Sequence, residues 1–181
     1  MERFRFHSDG GGLFFVTFSV VEWLPVFVSE AACRLLTDNL NFCHEHKGLR
    51  TNAYVVMPTH FHGIFYHASF AADELKNILH EFRKFTGHKL ADLCDRSFPS
   101  SFRDTLRDHA GADRERRFWQ ATQHPERIET EPFWQTKFDY LHANPVRKGL
   151  VRQASHWRFS SAAYWQSECK APTDVILSSV A

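Results

Sequence analysis

The chain is expected to fold as an α+β domain on an antiparallel sheet, and three observations predict this. Leu13 to Val21, LFFVTFSVV, has the aromatic and β-branched density of a strand. Ala53 to Ala68, AYVVMPTHFHGIFYHA, holds two apolar runs, Tyr54–Met57 and Phe61–Tyr66, parted by Pro58 and Thr59, as in two neighbouring strands joined by a tight turn. Two amphipathic helical stretches flank that pair. The order strand, helix, strand, strand, helix is most of a split βαβ unit.

The elements follow from the chain in order. Residues 1–12 end in three glycines and read as a polar lead-in. After the first strand, Pro25 breaks the pattern, and Ser29 is a candidate N-cap for a helix running to about His46. Ala32, Leu35, Leu36, Leu40 and Cys43 recur there at three and four, and Gly48 is the stop. The second helix is expected from about Ala71 to Leu93, with Leu75, Ile78, Leu79, Phe82 and Phe85 along one side and Gly87 as a weak point. Residues 95–117 carry six arginines and five acids with few apolar anchors, which suggests a surface insertion with one short helix. A short strand around Glu126–Glu129 would complete the sheet. Thr130 then caps a helix that Pro145 is expected to end near Asn144. HWRFSSAAYW, residues 156–165, suggests a packed turn and short helix, and residues 166–181 a tail that docks or hangs free. The whole, residues 1–181, is read as one domain, large enough to bury a core without staples.

Charge is nearly balanced, 22 basic residues against 21 acidic, so net charge alone does not announce a nucleic-acid binder. The four cysteines, Cys33, Cys43, Cys94 and Cys169, form no Cys-x-x-Cys pair, which excludes a zinc ribbon or a disulfide framework. No run approaches a membrane span or a signal-type leader, so a soluble intracellular protein without membrane contact is expected.

Two features carry chemistry. His60 and His62 lie two apart in the second strand of the pair, so both imidazoles project from one face. They are either a pair of metal ligands or two hydrogen-bonded histidines in a chain with twelve. They share that face with Ile64 and Tyr66, so something must cover its far end, either the C-terminal helix or a partner subunit. The second feature is Pro145–Arg158, with Arg147, Lys148, Arg152 and Arg158 against no acid and with His142, Asn144, His156 and Trp157 alongside. Such a stretch suits phosphate contacts and base stacking, or is a solvated basic turn.

YVVMPTHFHGIF resembles the signature of the IS200-like transposases, in their REP-associated tyrosine transposase branch. KFDYLHANPVRKGLV, residues 137–151, and HWRFSSAAYW resemble two further segments of that family, in the same order. Phe118–Trp119–Gln120 resembles the triplet that opens its catalytic segment. Together the matches span roughly residues 10–165.

The resemblance implies a ferredoxin-like antiparallel sheet with helices on one face and a C-terminal helical extension. The implied activity is a single-strand DNA endonuclease and strand transferase of the HUH type. His60 and His62 would hold Mg²⁺ or Mn²⁺, which neutralises charge on the scissile phosphate, and a tyrosine would attack the phosphorus. Nitrogen ligands favour Mn²⁺ somewhat. A phenol, near pKa 10, needs activation or a close cation before it attacks well. Single-stranded or hairpin-forming DNA is the implied partner, a homodimer the implied assembly in some relatives, and a bacterial cytoplasmic, nucleoid-associated setting the implied location.

The chain departs from the family at the nucleophile. Gln123 stands where the catalytic tyrosine belongs, and Arg127, which cannot coordinate a cation, where a third ligand belongs. The four tyrosines are Tyr54, Tyr66, Tyr140 and Tyr164. Tyr66 lies about 13 Å beyond His62 along an extended strand, and Tyr54 sits in a core-like strand. Tyr140 is the best substitute nucleophile, although it belongs to a motif with a packing role of its own. His124 and Glu126 are candidate replacement ligands, and either would allow a water-activating hydrolase instead. The readings are thus a DNA-cutting enzyme with a relocated nucleophile, or a catalytically inactive descendant that recognises palindromic repeats.

Overall fold

A computed structural model describes residues 12–112, 115–121 and 125–180; the expected lead-in over residues 1–11 lies outside them. The elements are β1 (Phe14–Ser19), α1 (Glu30–Lys47), β2 (Leu49–Met57), β3 (His60–His67), α2 (Ala72–Ser97), α3 (Ser100–Asp108), β4 (Glu126–Arg127), α4 (Glu131–Arg147) and α5 (Ala162–Gln166). The sheet order is β2-β3-β1-β4 with every neighbouring pair antiparallel. β1 and β2 therefore run parallel with β3 between them, the ferredoxin-like arrangement expected from the sequence. β4 is only two residues long, pairing Glu126 and Arg127 with Phe15 and Phe14.

Strand alternation divides the core in two. Val16, Phe18, Tyr54, Val56, Phe61 and Phe65 face α1 and α2. Phe15, Val55, Met57, Ile64 and Tyr66 face the other way, where Trp134, Phe138 and Leu141 of α4 and Trp165 of α5 cover them. The helices before β4 thus occupy one face, and the C-terminal extension closes the other. The cover comes from the chain itself. Truncating one buried Phe or Trp typically costs about 3–5 kcal/mol, so α4, which gives Trp134, Phe138 and Leu141 to the second cluster, is part of the core and no loose flap.

Local chemistry explains most boundaries. Gly48 ends α1 in the left-handed conformation, φ 73°, and donates its N–H to Cys43 O. The Thr130 hydroxyl accepts from Phe133 N at the start of α4. One expectation is borne out and one is corrected. α2 runs unbroken through Gly87, because Phe82, Thr86, Leu90, Ala91 and Cys94 bury one continuous stripe. α4 continues past Pro145 to Arg147, since a proline so near the end removes one ladder bond only, and the Lys148 and Leu150 N–H groups cap Asn144 O and Pro145 O. The excursion at residues 95–117 is anchored by fully buried Leu106 and by Arg116, paired with Asp92 and Asp95.

The C-terminal tail docks. Ser178 N donates to Thr51 O, Asn52 Nδ2 donates to Ser178 O, and Tyr66 Oη donates to Ser179 O. Val56 N donates to Phe159 O, and Ser161 N to Tyr54 O. These bonds occupy the open edge of β2. Among the described residues no helix is long and apolar enough to cross a membrane.

Candidate active site

The β2–β3 turn at Pro58–Thr59 and the β1–β3 register place the histidine pair. Ser19 pairs with His60, and Thr17 with His62. Phe61 between them points into the α1–α2 core, so both imidazoles lie on the α4 face, with ring centroids 4.7 Å apart. Each ring is oriented through Nδ1, His62 by Thr17 Oγ1 at 2.7 Å and His60 by Thr59 Oγ1 at 2.9 Å. A hydroxyl that accepts from Nδ1–H leaves the lone pair on Nε2. Nε2 of His62 is buried and has no hydrogen-bond partner.

Burial keeps both rings neutral. Desolvation pulls His60 down to about 4, with the Lys148 charge adding to it. His62, 5% exposed, is pulled to about 3 by desolvation first, then by His60 and Lys137. A neutral imidazole is the form that binds a cation.

α4 supplies the opposite wall. Phe133, Lys137, Tyr140, Asn144 and Arg147 recur at three and four, so they form one stripe. The Tyr140 ring stands edge-on to His62 at 5.6 Å and to Phe15 at 6.1 Å, and Phe15 stacks on His62 at 5.4 Å. The Arg147 guanidinium lies 5.3 Å from the Tyr140 ring centre. Lys137 Nζ sits over Phe15 at 4.8 Å and reaches Glu126 Oε1 at 2.7 Å. Asn144 is 4% exposed, and its Nδ2 has no hydrogen-bond partner.

Of the four tyrosines, Tyr140 is the one that meets the histidine pair, and at 38% exposed it is open to solvent. Tyr54 is wholly buried, bonded to Thr173, and its phenol is pushed up to about 12 by burial. Tyr66 is bound to Ser179 O, and Tyr164 packs on Trp165. Among the described residues no third His, Cys, Asp or Glu joins His60 and His62 in a metal-holding group. Glu126 faces Lys137 instead, and Arg127 lies on β4. Gln123 and His124 lie outside the described residues.

The basic stretch divides. Arg147 and Lys148 are exposed at the end of α4, beside Tyr140 and His60 respectively, and Arg152 is exposed beyond them. Arg158 clasps Glu30 at 3.2 Å and Asp174 at 3.6 Å, tying the tail to α1. Sequence reasoning missed Phe15, Thr17 and Lys137. The alternation of β1 carries the signal for the first two, since Phe15 and Thr17 share the face opposite Val16 and Phe18.

The residues fit a divalent cation in three respects: two neutral imidazoles, a buried and unpartnered Nε2, and hydroxyls that fix both rings. No protein-family profile matches the chain, and no curated protein matches it. Among solved structures, it is similar to a REP-associated tyrosine transposase bound to a REP hairpin, at 19% identity and a TM-score of 0.60, covering 100% of this chain and 94% of that one. A candidate transposase of Deinococcus radiodurans R1 matches at 16% identity and a TM-score of 0.45, over 76% of this chain and 93% of that one, a likeness too weak to build on. Along its whole length, then, the chain shares the fold of a hairpin-bound REP-associated tyrosine transposase.

Proposed function

We propose that the protein is a DNA-binding, transposase-like member of the IS200-like, REP-associated branch that cuts single-stranded or hairpin-forming DNA with Tyr140 as nucleophile. The observation that carries this reading is the contact of Tyr140 with His62, on a helix whose next exposed cations are Arg147 and Lys148. The shared fold with a protein described as bound to a REP hairpin supports the substrate class.

His60 and His62 would hold Mg²⁺ or Mn²⁺, and the bound ion supplies charge neutralisation at the phosphate. Asn144, on the same stripe as Tyr140 and with an unpartnered amide, is the chain's candidate for a third polar group there, either through its carbonyl oxygen or as a donor to a phosphate oxygen. Arg147 and Lys148 attract and orient the phosphodiester. In the reaction the Tyr140 oxygen forms a bond to phosphorus and the bond from phosphorus to the 3′ oxygen breaks. The proton the phenol gives up is balanced by the one the 3′ oxygen takes. The products are a phosphotyrosine at the 5′ end of the downstream strand and a free 3′ hydroxyl on the upstream strand.

A second reading, a DNA-binding descendant without catalysis, is favoured by one observation: no carboxylate joins the pair among the described residues. A labelled hairpin oligonucleotide with single-stranded flanks, incubated with protein and Mn²⁺, separates the two. Cleavage with a covalent adduct that survives SDS, lost in Tyr140→Phe and in His62→Phe, supports the enzyme. Tight binding without scission supports the descendant. An adduct retained by Tyr140→Phe rejects Tyr140 as nucleophile.

A further inference from the structure

A second feature lies on the other side of the sheet. α2 and residues 115–121 enclose a cavity of about 760 Å³, within the range of pockets that take compact ligands. Its wall carries His80, Arg83, Lys84, His88, Arg116 and Arg117, against the single carboxylate Glu115. In a chain whose total charge is +1, that is a strong local concentration.

The cations differ in what already occupies them. Arg116 is committed to Asp92 and Asp95, and Arg83 donates to Gln120 O. Among the described residues Lys84 has no carboxylate within ion-pair distance, and the Nε of Arg117 is buried with no hydrogen-bond partner. A guanidinium nitrogen in that condition costs free energy unless an acceptor reaches it. The floor is apolar and closely packed. Trp119 is buried, its indole N–H donating to Thr86 Oγ1, and a Cβ on Gly87 would come within 3.2 Å of Trp119 Cδ1, so helix and indole meet closely because position 87 has no side chain.

The cavity also connects to the histidine end of the sheet. Trp119 bridges to Val20, and Gln120 N donates to Ser19 O. Ser19 is the register partner of His60. A strand leaving the histidine pair around the end of β1 thus arrives at Arg83, Lys84 and Arg117.

The geometry points to this cavity as a second phosphodiester site, which holds the single-stranded flank of a nucleic acid whose scissile segment lies at His60 and His62. The inference rests on the proposed DNA reading. A single strand can lay one phosphate and sugar into a concave pocket, whereas a duplex, a convex rod, cannot enter. Lys84 and Arg117 contact phosphate, His88 stands exposed on the same wall, where a carboxylate in its place would repel the strand, and the site carries no sequence readout of its own.

The test uses the full chain and two fluorescent DNA probes: a blunt hairpin without flanks, and the same hairpin with a ten-nucleotide thymidine flank on each side. Affinity is measured from low to moderate salt for wild type, Lys84→Glu, Arg117→Glu and the exposed-residue variant His88→Glu, with thermal melting as the fold control. The expected result is that Lys84→Glu and His88→Glu weaken the flanked probe about tenfold and leave the blunt hairpin within about twofold. Each lost single-strand phosphate contact should also flatten the salt slope by about 0.7. Equal losses on both probes, or no loss on either, overturn the second site while leaving the DNA reading intact. Failure of wild type to bind either probe overturns the DNA reading, and the second site with it. Should Arg117→Glu fail to fold, Lys84→Glu and His88→Glu decide the matter.

Discussion

Acid should unfold this protein through its two site histidines before any carboxylate is involved. In the unfolded chain an imidazole titrates near 6.5. In the folded protein burial holds His60 at about 4 and His62 at about 3. Depressed imidazoles contribute stability that is present above pH 6.5 and lost as pH falls, because only the unfolded chain takes up protons. The loss levels off once the native rings titrate, near 4 and 3. Between pH 6.5 and 5 the difference grows from about one proton to nearly two, so the slope approaches about 2.7 kcal/mol per pH unit and the loss over the interval is roughly 3 kcal/mol. A domain of this size has about 5–15 kcal/mol in total, so the effect is large.

The carboxylates act later. Arg34 lowers Glu30, Lys47 lowers Glu81 and Arg116 lowers Asp92, from ordinary values of 4.5, 4.5 and 3.8. Their contribution is present above those values and is lost only below them. His44, lowered by burial and by Arg50, titrates in the same direction as the site pair and is removed with a His44→Gln background. The assay is urea unfolding followed by tryptophan fluorescence from pH 8 to pH 5 in EDTA. His62→Phe should halve the slope. A stability that is flat over this range, or a slope unchanged in His62→Phe, refutes the claim that these rings are held neutral by burial.

Three further outcomes are expected. Mn²⁺ at pH 7.5 should raise the melting temperature of the wild type by binding the native state alone, and His62→Phe should abolish the rise; a rise that persists places the ion elsewhere. Gly48→Ala should cost about 1–2 kcal/mol for a left-handed residue with a Cβ, since its Cβ would also stand 2.6 Å from His67 Nε2; an unchanged urea midpoint would contradict this. The chain should run as a monomer in light scattering, because residues 159–161 and 178 occupy the β2 edge. Removal of residues 174–181 should open that edge and promote self-association, whereas a wild-type dimer would mean that another surface pairs.

Much of the fold was legible in the sequence because local chemistry sets it. The proline turn between two β-branched runs, the left-handed Gly48 that ends α1 and the Thr130 cap all operate within a few residues, while Ser29 stands at the start of α1 without a side-chain cap bond. What was not legible depends mostly on contacts between distant segments. Pro145 does not stop α4, because a lost bond matters little in a last turn, and α2 crosses Gly87 as one helix because its neighbours pack on the core. Thr17 was hidden because it reaches His62 across a pairing of strands 45 residues apart, and sequence fixes no register over that distance. Arg158, grouped with Arg147 by composition, is parted from it by tertiary ion pairs with Glu30 and Asp174.

The place of Tyr140 follows from how α4 is fixed on the sheet. At about 100° per residue, Trp134, Phe138 and Leu141 form a stripe next to the one made by Lys137, Tyr140, Asn144 and Arg147. The first stripe is buried against Phe15, Val55, Met57 and Ile64, and once it is seated the rotation of the helix is set. Tyr140 then meets the side of His62, Arg147 follows two turns later over the same phenol, and Lys148 falls near His60. The phenol is therefore positioned by the core that covers the sheet, and the motif's packing role and a role beside the histidines are two consequences of one helix orientation. Reading each tyrosine by its distance along the chain from the histidines could not reveal this, since the relevant separation is the spacing between α4 and β3.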